Sequence, residues 1–484
     1  LISNKVFTIY TFLQSTDFTA FHWRTAGLSV ACTLFGMNSG LQVDITYKQI
    51  LKIALPISLA SLVPQLNFII NNIFLGHLSE ASLAIASITG VYYLIFAAIG
   101  YGLNNGLQAL ISRRAGENRP EEIGRIFHQG VLIAMIIAAA GILITYFIAP
   151  AALKASIHSE ETYQKAVSFL RIRIWGLPFL YIYQLRNALL VGTNQSKYLI
   201  AGTLAEAVAN VFFDYTLIFG QLGLPQMGFN GAAVASVIAE FTGMFVIFLV
   251  IRAKGIDKRF SLFQKTRWDA YNARLIINLS GPLVFQHAIS IISWLFFYLL
   301  IERNSGQTGL AVSNTMRNIF GFFGVFIWAF ASTTNSMVSN VIGQGRTEDV
   351  LPLINKLIKI SVSVAIVICI GLNLFPGVYL SIYGLNLQFI NTGIPVIRVV
   401  SFAMVLMSFA TIWLNAVTGT GNSRMTFLIE LSAIVLYCIY VFVVLEVNKL
   451  SLIWAWMSEY LYWIILFTLS FFYIRSNRWK SVKL

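Results

Sequence analysis

The stretch LAEAVANVFFDYTLIFG, Leu204 to Gly220, is apolar enough to cross a bilayer, yet it carries two carboxylates and an amide. On an α-helix, which turns about 100° per residue, Glu206, Asn210 and Asp214 recur every four residues and stay within an arc of roughly 80°. They share one face. Insertion scales penalise each acid at the centre of a membrane helix by roughly 2.5–3.5 kcal/mol. A stripe this unfavourable in lipid must face protein or a water-filled cavity, and ionisable residues in such places are functional by default.

The rest of the chain has the same character. It is 57% hydrophobic and only 11% charged, where a soluble domain carries about 25% charged residues. Many of its apolar runs reach the roughly 20 residues that a transmembrane helix needs. No long Ser/Gly/Pro-rich or charged linker separates them, which excludes a soluble multidomain chain. The fold class is an all-α polytopic membrane protein. The formal charge of +14 would point to nucleic acid in a soluble chain, but here the Lys and Arg residues sit in turns between apolar runs. The partner is the lipid bilayer, with no nucleic acid.

Apolar runs between polar turns predict helices near 50–75, 82–111, 123–149, 164–190, 197–219, 229–251, 272–301, 309–340, 352–376, 389–417, 424–446 and 451–474. The turn 113–125, the central turn 252–274 and the C-terminal tail are rich in Lys and Arg, whereas HLSEAS, FGQLGLPQMGF and FPGVYLSIYGLNLQF have none. The positive-inside rule then places both termini in the cytoplasm and the protein in the plasma (inner) membrane as a multi-pass chain.

The two halves repeat. SRRAGENRPE (112–121) returns as SNVIGQGRTE (339–348), and GTNQSK (192–197) returns as GTGNSR (419–424), both after about 227 residues. Leu83-Ala84 against Leu310-Ala311 fits the same shift, and Pro56 against Pro282 differs from it by one residue. Six helices per repeat is an even number, so the halves enter the membrane with the same orientation. The expected architecture is twelve transmembrane helices in two parallel six-helix lobes with a cavity between them. The expected domains are residues 37–255 for the N-lobe, and 256–484 for the C-lobe with its basic tail. Residues 1–36 contain no methionine and lack the organisation of a signal peptide. They are read as an N-terminal extension upstream of a native start at Met37.

Enzyme chemistry finds no foothold. Neither GxxxxGK[ST] nor HExxH occurs, and His22, His77, His128, His158 and His287 form no metal-spaced pair. Cys32, Cys369 and Cys438 read as small packing residues. The chain is expected not to be an enzyme, to have no cofactor and no assigned metal site, and to act as a monomer on small-molecule substrates.

The block NVFFDYTLIFGQLGLPQMGFNGAAVAS, Asn210 to Ser236, resembles the signature of the multidrug and toxic compound extrusion (MATE) family. There an Asn-x-x-x-Asp helix runs through a Gly-Pro-Gly turn into a GAA-x-A-[TS] helix. FLGHLSEASLAIAS (74–87), the two Gly-Thr turns and SRRAGE are also similar to this family, and the resemblance covers essentially everything after Met37. It implies a MATE-type fold of the wider MOP superfamily, and export of amphipathic, often cationic compounds by alternating access in exchange for H+ or Na+.

In branches with an N-lobe cation site, the site uses an Asp of helix 1, an Asn of helix 4, the Asn and Asp of helix 5 and a Thr of helix 6. Carried over, these fall on Asn187, Asn210, Asp214 and Ser236, while the helix 1 acid position is Asn71. Glu206, one turn before Asn210, can supply the missing carboxylate. The acids that other branches carry in helices 7 and 10 have no counterpart here: helix 7 offers Gln286 and His287, and helix 10 offers Arg398. Coupling is therefore expected in the N-lobe, at Asp214, Asn210, Glu206, Asn187, Asn71 and Ser236. Glu240, Asn67, Asn104, Gln108, Gln286 and His287 are candidates to line the cavity.

The residues leave the ion open. A low-dielectric site disfavours the charged form of a carboxylate, which suits Asp214 to carry a proton. The same carboxylate and amide oxygens can equally replace the hydration shell of Na+. Two alternatives remain at this stage. A lipid-linked oligosaccharide flippase of the same superfamily needs basic side chains in its cavity. A membrane-embedded polyprenyl-phosphate transferase needs a polar cluster at the membrane surface.

Overall fold

The computed structural model describes residues 40–78, 80–157, 159–264, 268–383 and 387–482, and every regular element among them is helical. The expected extension at 1–36, with Cys32 and His22, lies outside these residues, as does His158. The first half contains α1 (Tyr47–Leu78), α2 (Glu80–Gly116) and α3 (Pro120–Phe147). It continues with α4 in two pieces (Glu160–Arg173 and Leu177–Gly192, joined by the 3-10 turn Ile174–Gly176), α5 (Leu199–Phe219) and α6 (Phe229–Ala253). The second half begins with one helical run, Ala270–Gly343, that breaks at Gly306 into α7 (270–305) and α8 (307–343). It ends with α9 (Val350–Leu374), α10 (Leu387–Gly419), α11 (Ser423–Phe442) and α12 (Leu452–Trp456 and Ser458–Arg475).

Local sequence explains the boundaries that matter. Pro120 occupies the first turn of α3, where its missing N–H would have had no partner. Asp269 caps α7 by accepting from the main-chain N–H groups of Tyr271 (3.0 Å) and Asn272 (3.1 Å). Gly220 ends α5 in a left-handed conformation (φ 71°), and Gly306 takes φ 60°, so both stops fall where a Cβ would be strained. Among the described residues, nine helical stretches are long and apolar enough to cross a membrane, and the 74-residue run is one of them. Their outer faces carry exposed apolar side chains such as Phe147, Phe285, Ile292 and Leu295, as lipid contact requires.

The halves meet along α2 and α8, and the repeat is visible in the contacts. The Gln108 amide donates to the Ser332 carbonyl (2.8 Å), and its counterpart Asn335 donates to the Asn105 carbonyl (3.1 Å). The Ser112 and Ser336 hydroxyls pair at 2.8 Å, while Ser339 donates to the Ala109 carbonyl at 2.6 Å. Each contact has a partner one repeat away. Arg113 reaches across to donate to the carbonyl of Thr420 at the end of α10 (3.0 Å). Asn340 ties down the segment before α1, donating to the Leu41 carbonyl (2.9 Å) and accepting from the Val43 N–H (3.1 Å). These bonds close the lobes together at the end of the molecule that holds the Arg-rich turn.

Candidate functional site

Helix α5 places its three polar groups as the spacing requires. Asp214 is fully buried, Asn210 is buried, and Glu206 is partly exposed. Both flanking helices, α1 and α6, pack along α5. The fit against α6 is tight because two glycines face each other: a Cβ on Gly202 would lie 2.2 Å from Ile247, and one on Gly243 would lie 2.9 Å from the Glu206 Cβ. Glu206 is thus laid against the α6 backbone. Helix α4 is joined to α5 by the Tyr183 and Thr203 hydroxyls, 2.6 Å apart.

Several buried acceptors of this lobe stand unpaired. Among the described residues, neither carboxylate oxygen of Asp214 has a hydrogen-bond partner, and the buried amide oxygens of Asn71, Asn104 and Asn187 have none either. Every one of these groups is an acceptor. Leaving buried polar atoms unpaired costs about 1–3 kcal/mol each, more for a charge. What would satisfy them is a donor or a cation, and a proton on Asp214 or a monovalent metal ion is each of that kind.

A third acid, Glu240 of α6, has a different environment. Its carboxylate takes two hydrogen bonds from the Arg173 guanidinium (2.5 and 2.9 Å), and Tyr93 of α2 donates to it at 3.1 Å. The Arg173 guanidinium also sits 3.7 Å from the centre of the Tyr93 ring. Both charged side chains are nearly buried, 14% and 8% exposed. Gly176 makes room for the pair, since a Cβ there would lie 2.0 Å from a Glu240 oxygen. The pair is bidentate and charge-assisted, and with Tyr93 it ties α2, α4 and α6 together.

The remaining sequence candidates separate. Gln108 belongs to the seam between α2 and α8 described above. His287 touches α2 from α7, with its Nε2 3.3 Å from the Asn105 amide and its ring against Tyr101. Asn67 lies partly buried on α1 and Ser236 partly buried on α6. Gln286 faces an acid that the sequence reading passed over: Glu430 of α11, buried in the C-lobe, accepts from Ser290 (3.1 Å), from Gln286 (3.4 Å) and from the Tyr462 hydroxyl of α12. The signal for it was a single acid inside an otherwise apolar helix. Arg173 and Tyr93 were also missed.

Comparisons with known proteins agree with this architecture. The MatE family model matches residues 56–216 and 282–443, one match in each half. A probable multidrug resistance protein NorM of Thermotoga maritima is 22% identical over 441 residues, covering 90% of this chain and 93% of that protein. Among solved structures, a MATE transporter in complex with MaL6 superposes with a TM-score of 0.82 at 18% identity, covering 90% of this chain and 97% of the other. An outward-facing multidrug resistance transporter of the MATE family superposes equally well, with a TM-score of 0.82 at 18% identity, covering 90% and 98%.

Proposed function

The chain belongs to the MatE family, and from that premise we propose that it is a secondary active antiporter that exports amphipathic, cationic organic compounds in exchange for H+ or Na+. It works by alternating access as a monomer in the plasma membrane, with both termini in the cytoplasm. The lobes it rocks are residues 37–255 and 256–484. The observation that carries the reading is Asp214, a fully buried carboxylate with no hydrogen-bond partner on either oxygen among the described residues.

The coupling ion binds at Asp214 and Asn210 of α5, with Asn187 of α4, Asn71 of α1 and Ser236 of α6 as further oxygen donors. Glu206 supplies the second negative charge that Asn71 lacks. Binding there supplies what the unpaired acceptors want, so the coupling ion and the cationic substrate compete for the same negative charge. Inward movement of one positive charge provides roughly 2.3 kcal/mol per 100 mV, enough to sustain a useful export gradient. The flippase alternative loses ground because the Arg173 guanidinium is committed to Glu240 and is not free to meet a pyrophosphate.

The test is efflux of ethidium, a fluorescent organic cation, from proteoliposomes under an imposed H+ gradient and, separately, an imposed Na+ gradient. Efflux driven by one gradient and abolished in Asp214→Asn supports the antiporter and names the ion. Folded, reconstituted protein that responds to neither gradient overturns it.

A further inference from the structure

A groove of about 280 Å³ lies outside the lobe interior, between the end of α3, the middle of α4 and the first turns of α6. Its polar end is built from Tyr146, Arg171 and Trp175, and its apolar wall from Ile172, Val234, Val237 and Ile238. The neighbouring side chains Phe147 and Ile148 are 77% and 60% exposed. An exposed apolar rim of this kind is what a bilayer covers, so the groove opens to lipid and not to the space between the lobes.

The polar end is organised before any ligand arrives. The Trp175 indole N–H donates to the Tyr146 hydroxyl at 3.0 Å, and that hydroxyl donates to the Arg171 carbonyl at 3.2 Å. The Arg171 guanidinium is held 5.7 Å from the Tyr146 ring centre, and the Tyr146 and Trp175 rings meet edge-on at 6.4 Å. Arg171 forms no ion pair among the described residues. The acids at the start of α4 are occupied elsewhere, Glu161 by Lys165 (2.6 Å) and Glu160 by Gln164 (2.6 Å), and the next arginine, Arg173, is taken by Glu240. A guanidinium without an ion pair among the described residues therefore stands beside a Trp–Tyr pair, in a groove otherwise lined by apolar side chains.

We propose that this groove binds an anionic phospholipid of the outer leaflet. The phosphate meets Arg171, whose planar fork matches phosphate oxygens, and an acyl chain lies along Ile172, Val234, Val237 and Ile238. The size agrees. Small-molecule sites usually enclose roughly 300–1,000 Å³ and bury most of the ligand, whereas this groove, at about 280 Å³, falls just below that range and is open, as suits a ligand whose remainder stays in the leaflet. Because α3, α4 and α6 all contribute, occupancy bridges three helices of the N-lobe and stabilises it by mass action.

The test uses the full chain in detergent after delipidation, titrated with phosphatidylglycerol, phosphatidylcholine or inorganic phosphate, and reads the thermal unfolding midpoint and the lipid retained in native mass spectra. Phosphatidylglycerol raises the midpoint in a saturable way and is retained. Phosphatidylcholine and phosphate do neither. Arg171→Gln abolishes the shift and the retention, and Trp175→Phe, which keeps a ring and loses the N–H, weakens both. Both side chains are exposed, so the variants fold. A phosphatidylglycerol shift undiminished in Arg171→Gln overturns the assignment, as does an equal response to phosphatidylcholine or to phosphate alone. None of these readouts depends on transport, so they stand apart from the antiporter test.

Discussion

Gly116 at the end of α2 lies so close to the main-chain carbonyl of Asn340 on α8 that a Cβ would fall 2.0 Å from its oxygen. The repeat supplies the mirror contact, where a Cβ on Gly343 would fall 2.3 Å from the Arg113 carbonyl. Backbone cannot move aside as a side-chain tip can. A methyl group at either glycine must push α2 and α8 apart at the closed end of the molecule, and overpacking of this kind costs about 1–3 kcal/mol. Gly116→Ala is therefore expected to shift the lobe equilibrium about 5–150-fold towards the state open at this end. Spin labels on the exposed Arg119 and Arg346 positions report it as a longer distance distribution than in the parent protein. An unchanged distribution would mean that this contact does not hold the lobes closed.

The Arg173–Glu240 pair predicts a large loss for a single change and a small one for the double change. Removing one partner of a buried pair leaves an uncompensated charge, at a cost of about 3–5 kcal/mol, while replacing both by apolar residues is often neutral. Arg173→Leu should lower the unfolding free energy in detergent by that amount. Arg173→Leu combined with Glu240→Leu should recover most of it. Additive losses would show that each residue has a separate role and that the pair is not the anchor of α2, α4 and α6.

The contrast between these residues and Asp214 shows what the sequence reveals. The burial of Asp214 was legible because Glu206, Asn210 and Asp214 repeat at helical spacing within one segment, and such a stripe has few readings in lipid. Arg173 and Glu240 stand 67 residues apart, and Glu430 meets Gln286 and Ser290 across 144 and 140 residues. No local period connects them. Only the packing of α4 on α6 and of α7 on α11 creates those bonds. The twelve spans, the parallel repeat and the break between the seventh and eighth helices were readable because they rest on hydropathy and on glycine. The shape of that break was not, because the polar stretch ERNSGQTG (302–309) reads as a loop, whereas the chain stays helical on both sides and bends at Gly306. The division of α4 at Ile174–Gly176 escaped for a related reason: the 3-10 turn is itself apolar.

Outside the membrane, Asp269 gives a prediction about pH. The N–H of Asn272 first, followed by the Asn272 amide and the N–H of Tyr271, holds its carboxyl below the ordinary Asp value despite some desolvation. A group whose folded value is depressed contributes stability above its unfolded value of about 3.9, and that contribution is lost as pH falls through the lower, folded value. Asp269→Ala should cost about 0.5–2 kcal/mol at neutral pH, the usual range for a lost helix cap. The gap from the parent should narrow in acid below the carboxylate range. Asp269→Asn keeps the capping oxygen and should remove most of the pH dependence while costing less. Thermal unfolding of the three proteins at neutral and acid pH decides it, and a gap that is constant with pH would exclude the ionised cap.

The last prediction concerns the charge that α1 lacks. We propose that Asn71 takes the α1 position at which the family resemblance places an acid, and α1 packs along α5. Glu206 sits two full turns from Asp214, about 12 Å along the helix axis. At an effective dielectric of about 20, a charge at that separation is felt at Asp214 with about 1.4 kcal/mol, roughly tenfold in cation occupancy. Glu206→Gln should therefore lower gradient-driven ethidium efflux about tenfold without abolishing it, whereas Asp214→Asn abolishes it. If the requirement is for a second negative charge in the lobe and not for Glu206 itself, Asn71→Asp placed in the Glu206→Gln protein should restore efflux. Asn71→Asp alone would put a third free carboxylate beside the site and bind the coupling ion too tightly, slowing its release and lowering the maximal rate. Efflux that is unchanged in Glu206→Gln, or not restored by the added acid in a folded double variant, would assign Glu206 to helix packing against Gly243 and leave Asp214 as the sole coupling charge.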